Sequence, residues 1–92
     1  MKKNIIARFF IKSESITDFK VFANEIIAET RKEEGCISYN LFQNINDNSE
    51  FVFVEEYRDE DAMKIHSGSA YLSEFRAKIK DFHSKDRIVE IF

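Results

Sequence analysis

The chain contains no proline and only two glycines, Gly35 and Gly68, in 92 residues. Proline and glycine are the strongest local punctuation of a polypeptide, so a chain nearly free of both is held to regular elements joined by short turns. It also carries ten phenylalanines and three tyrosines. Rings in that number must be buried, and a chain of this length forms one domain, residues 1–92, that buries only about two-thirds of its unfolded surface. Either the core is dense or part of it is shared with another chain.

The pattern along the chain fixes the order of the elements. Residues 4–12, NIIARFFIK, are β-branched and aromatic and predict a strand. From 16 to 33, Ile16, Phe19, Phe22, Ala23, Ile26, Ile27 and Thr30 recur at steps of three and four, which predicts an amphipathic helix. Ser15 is placed to cap that helix, with Asp18 three positions on, and Gly35 is placed to stop it. Residues 36–45 and 51–58 predict a hairpin around NDNSE. Asp59, Glu60 and Asp61 suit the positive end of a helix that runs to about His66. HSGS breaks it, a further helix over 69–82 turns Leu72, Phe75, Ile79 and Phe82 inward, and 86–92 closes the chain as a strand. The order β-α-β-β-α-β, with the second helix split, predicts an α+β, ferredoxin-like fold with a four-stranded antiparallel sheet and helices on one face.

Such a sheet normally leaves one face polar. Here Ile5, Ala7, Phe9 and Ile11 alternate with Ile6 and Phe10, Phe51, Phe53 and Tyr57 with Val52 and Val54, and Val89 and Ile91 with Ile88 and Phe92. Two apolar faces predict a homodimer that packs sheet on sheet. Each subunit then keeps a pocket between its own sheet and helices.

Charge and composition exclude several function classes. A net charge of −3 with the signs interspersed lacks the basic stripe of a nucleic-acid binder. No apolar run approaches the length that spans a bilayer, and no polybasic segment marks a membrane surface. The start MKKNIIARFF is broken by Arg8 and Lys12 and reads as a strand rather than a leader, so a cytoplasmic location is expected. The lone Cys36 excludes an internal disulfide and a cysteine-rich zinc site, and with no base beside it reads as a buried small residue.

Polar residues on apolar faces mark the candidate chemistry. Glu55 follows Phe51 and Phe53 on one strand face, where burial raises a carboxyl pKa. It is either a proton acceptor or ligand anchor, or a rim residue paired with Arg8 or Arg58. His66 is either an imidazole aimed into the pocket, suited to proton transfer, or an exposed residue at a helix C-terminus. Tyr39 and Tyr71 either line the same cavity or serve as amphipathic core residues. His83 reads as a helix-end residue, and Glu55, Glu56 and His66 follow no recognised metal-ligand spacing.

ETRKEEGCISYNLFQ followed by FVFVEEYRDEDAMKIHSGSAYLSEF resembles the antibiotic biosynthesis monooxygenase domain. Glu29, Arg31, Gly35, Cys36 and Tyr39 match its first block, and Glu55, Tyr57, Asp59, Ala62, His66, Ser69 and Phe75 its second. The resemblance implies a dimeric α+β barrel and oxygenation of an electron-rich phenol, quinol or polycyclic aromatic, with O2 as co-substrate and no cofactor or metal. It makes His66 base or anchor and Glu55 a second polar contact. Tyr39, Phe53, Tyr57 and Tyr71 become the walls, with Arg8 a further substrate-binding residue. The chain departs from the family pattern at Tyr57, where tryptophan is frequent, and at Tyr71, where a second histidine is frequent. A haem-degrading relative is disfavoured by the absence of tryptophan and by Arg8 and Phe9 near the position of its first-strand asparagine. EEYRDEDAMKIH is also similar to the branch that isomerises phosphorylated autoinducer-2, for which Arg8, Arg31 and Arg58 are the candidate phosphate contacts. A non-catalytic ligand-binding dimer is the third reading.

Overall fold

A computed structural model describes all 92 residues. Strands β1 (Lys3–Ile11), β2 (Cys36–Asn44), β3 (Asp47–Tyr57) and β4 (His83–Ile91) form one sheet in the order β2-β3-β1-β4. Every neighbouring pair is antiparallel. Helices α1 (Ile16–Thr30), α2 (Glu60–Ser67) and α3 (Ala70–Lys78) complete the ferredoxin-like α+β fold, with short 3-10 turns at Ser13–Ser15 and Lys80–Phe82.

The alternation in β1 and β3 sets the core. Ile5, Ala7, Phe9 and Ile11 and the facing Phe51, Phe53, Glu55 and Tyr57 are buried under the helices. α1 answers with Phe19, Ala23, Ile26 and Thr30, and α3 with Leu72 and Phe75. Phe19 sits 4.8 Å from Phe51, and Phe9 meets Phe53 edge-on at 5.3 Å. This aromatic cluster fills one end of the space between the layers and leaves the end under α2 for polar groups. On the other sheet face Phe42, Val54 and Ile88 are exposed, and two ion pairs, Arg8–Glu50 at 3.8 Å and Lys2–Glu56 at 2.5 Å, lie among the apolar residues.

Several boundaries differ from those the sequence predicts. α1 ends at Thr30, and Gly35 is not its stop: no glycine has positive φ. Gly35 is there because a Cβ at that position would collide with the Cβ of Ala62, so it allows the loop to press against α2. Ser15 precedes α1 but makes no side-chain cap bond, since the 3-10 turn before it already leads the chain into the helix. The hairpin turn narrows to Ile45 and Asn46, and β3 starts at Asp47. β4 starts at His83, three residues early, because pairing with β1 needs only backbone groups.

Candidate active site

Glu55 stands between Ile5 of β1 and Tyr39 of β2, with its side chain toward the helices. It is only 5% exposed. The Tyr57 hydroxyl, two residues along the same face, donates to Glu55 Oε1 at 2.6 Å. Burial raises the Glu55 pKa to about 7, against the lowering effects of the Tyr57 hydrogen bond and the Arg76 charge. The rim reading of Glu55 is thereby excluded: Arg8 lies on the opposite face with Glu50, and Arg58 pairs with Glu34 and Asp59.

α2 supplies the histidine. Asp59 caps the helix, its side chain accepting from the Ala62 amide at 2.9 Å. Ala62 and His66, one turn apart, then face the sheet, and both are buried. His66 is 3% exposed, so it is not a solvent-facing helix end. Its ring lies 5.3 Å from the rings of both Tyr39 and Tyr57. Its carbonyl accepts from the Ser69 hydroxyl at 2.7 Å, which pins the corner between α2 and α3. Burial lowers the His66 pKa, with Glu33 acting against it.

The residue that sequence reasoning missed is Glu33, in the loop after α1. His66 Nδ1 lies 3.0 Å from Glu33 Oε2, which also accepts from the Tyr71 hydroxyl. A neutral imidazole has one N–H, and a carboxyl oxygen at Nδ1 assigns that proton to Nδ1. Nε2 is then left with a free lone pair, 3.9 Å from Glu55 Oε1, too long for a direct hydrogen bond. The arrangement is Glu33, His66, Glu55 in sequence, with a tyrosine hydroxyl on each carboxyl. Within the run ETRKEE, Glu33 is indistinguishable from a solvated helix-end acid. The one available signal is its place two residues before Gly35.

His66 and Glu55 open on a cavity of about 170 Å³. Tyr39, Phe53, Phe75 and Arg76 are among its walls, with Val89 and Ile91 of β4 along one side. A larger hollow of about 390 Å³ between α1 and α3 contains neither His66 nor Glu55, and the chemistry decides in favour of the smaller one. Of the predicted substrate-binding residues, Tyr39 and Phe53 line the cavity. Tyr57 lies fully buried behind Glu55 and holds it. Tyr71 lies beyond Glu33, bordering the outer hollow. Arg8 is corrected outright, because strand alternation puts it on the far face of the sheet. Arg31 is spent on the Tyr39 carbonyl and Asn40 Oδ1, at 3.0 Å each. Glu56 also faces away from Glu55 and His66, bonded to Lys2 and to Ser38. Cys36 is half-buried, and burial first, then the nearby acids, push its thiol up to about 11, so it is no nucleophile at neutral pH.

A ferredoxin-like domain with a buried histidine between two carboxyl groups, in a small aromatic cavity, is the class of protein that fold and site define. Residues 4–78 match the family model described as antibiotic biosynthesis monooxygenase, and the chain belongs to that family. It is 35% identical over 74 residues to "Putative monooxygenase YcnE" of Bacillus subtilis (strain 168), covering 80% of this chain and 78% of that protein. It is 30% identical over 87 residues to "Putative monooxygenase Rv0793" of Mycobacterium tuberculosis (strain ATCC 25618 / H37Rv), covering 95% and 85%. The solved structure of Rv0793 superposes with a TM-score of 0.93 at 27% identity, over 100% of this chain and 93% of that one. A conserved protein from Methanosarcina mazei Go1 superposes with a TM-score of 0.95 at 26% identity, over 100% and 91%.

Proposed function

We propose that the protein is a monooxygenase that uses no cofactor and acts on a single-ring phenol or quinol. The observation that carries this reading is the Nε2 lone pair of a buried, neutral His66 beside Glu55 in an aromatic cavity. Nε2, with Glu55 able to exchange a proton near neutrality, removes the phenolic proton. In a water-poor site the resulting anion is not stabilised by solvent and gives one electron to O2. The radical pair combines at a ring carbon, and the hydroperoxide loses water to leave a quinone. One oxygen atom enters the product and the other leaves as water.

Cavity size selects among the aromatic substrates. A dry cavity of about 150 Å³ holds one benzene, and pockets for larger ligands start at about 300 Å³. At about 170 Å³ the space suits one ring, and a polycyclic substrate would have to displace Phe75 or the β4 side chains. The exposed apolar residues on the free sheet face support a homodimer that leaves this cavity within each subunit.

The test is turnover of a panel of phenols and quinols in an oxygen electrode under labelled O2. The expected result is one O2 consumed per product and one labelled atom retained. Rearrangement of a phosphorylated ketose-like substrate without oxygen uptake would instead identify an isomerase, which the same base could serve. Saturable binding of a ring with no conversion would identify a ligand-binding dimer.

A further inference from the structure

The five arginines differ in one respect. Arg8 pairs with Glu50, Arg31 bonds the Tyr39 carbonyl, and Arg58 pairs with Glu34 and Asp59. Arg76 and Arg87 have no such partner. Arg76, on α3, is the one arginine that lines the cavity with Glu55 and His66. Arg87, on β4, lines an adjoining hollow of about 440 Å³ with Lys80, His83 and one acid, Asp86, and Val89 belongs to both walls. Two guanidiniums therefore flank one mouth. They are close enough that the charge of Arg87, after burial, is the next cause pulling the Arg76 pKa down. A guanidinium is a cation at any physiological pH. The acids nearby are Glu55, beside Arg76 and itself partly neutral near pH 7, and Asp86, beside Arg87.

Two like charges held together with no carboxylate in direct ion-pair contact are a cost that a bound anion lowers. The guanidinium fork matches a carboxylate or phosphate with paired, charge-assisted hydrogen bonds. We infer that Arg76, backed by Arg87, is the specificity-determining contact for an anionic substituent, carboxylate or phosphate, on a single-ring ligand whose ring occupies the cavity. This rests on the reading of the cavity as a ring site and adds what the ring must carry. It also moves the anion contact from Arg8, on the wrong face, to the α3–β4 side of the mouth.

The test uses benzoate and phenyl phosphate as anionic probes and benzyl alcohol as the neutral one. Binding is measured by calorimetry on the full chain. In the wild type at least one anion binds about tenfold or more tightly than benzyl alcohol, the range of a charge-assisted pair. Arg76→Gln brings the ratio below about twofold, Arg76→Lys keeps part of it, and Arg87→Gln lowers it less than Arg76→Gln. The tighter anion names the source of the charge. Equal binding of all three probes, no binding of either anion, or a preference that survives Arg76→Gln each overturns the inference. None of the probes is a substrate for oxidation. A protein that prefers the anions but consumes no oxygen with any phenol would sink the oxygenase reading and leave this one standing.

Discussion

At the scale of single residues, His66 and Glu55 carry opposite perturbations from one cause. Burial disfavours charge on both, raising the acid and lowering the base. The signs follow for stability. Folded Glu55 holds its proton to about pH 7, whereas the unfolded carboxyl releases it near 4.5, so its contribution is fully present below 4.5 and is lost as pH rises toward 7. The loss reaches about 3 kcal/mol. Glu55→Gln should therefore raise stability at pH 8 by about 1–3 kcal/mol in urea unfolding and flatten this part of the pH profile. For His66 the unfolded ring binds protons more readily than the folded one, so its contribution is lost as pH falls below 6.5. In catalysis, His66→Ala should cost about a hundredfold or more in kcat, as removal of a general base does. Glu33→Gln should cost less, about tenfold, and should move the acidic limb of the pH–rate profile downward, because the group that favours the imidazolium is lost. An unchanged profile would make Glu33 a structural contact only.

At the scale of elements, the loop containing Gly35 and the start of α2 hold the site together. Gly35 lies against Ala62, and its carbonyl accepts from the Arg58 amide at 2.8 Å. Gly35→Ala forces a methyl group into a packed helix and should destabilise the protein by about 1–3 kcal/mol, read as a lower urea midpoint. Asp59→Ala removes the α2 cap and should cost about 1 kcal/mol in the same assay.

These two elements also show what the sequence could tell. The strands were legible because β-branched and aromatic residues alternate, and the alternation aimed Glu55 correctly. The end of α1 was not, because a glycine after a helix looks the same whether it supplies a left-handed turn or room for a neighbour 27 positions away. Glu33 was hidden for a related reason. Its partners His66 and Tyr71 are 33 and 38 positions distant, and no local pattern separates it from the acids beside it. Arg8 is misplaced by the resemblance, because the pleat that buries Ala7 and Phe9 turns it to the far face of the sheet.

At the scale of the molecule, the helices cover one sheet face and leave Phe42, Val54 and Ile88 on the other in water. Sedimentation at micromolar concentration should give twice the 10.9 kDa chain mass, and Val54→Lys at the centre of that face should shift the population toward single chains. A wild type that sediments as one chain would remove the dimer from the proposal. No helix is long and apolar enough to cross a membrane. The cavity takes its walls from both the sheet and the helices of this chain, with Val89 and Ile91 of β4 along one side. The proposed chemistry depends on two ionisable groups, Glu55 and His66, kept out of water. Carbon-13 and nitrogen-15 NMR titration of the Glu55 carboxyl and the His66 ring reads that property directly. The carboxyl should titrate near 7 and the imidazole below 6.5. Midpoints at 4.5 for the acid and 6.5 or higher for the ring would contradict it, because both groups would then be solvated and the cavity wet.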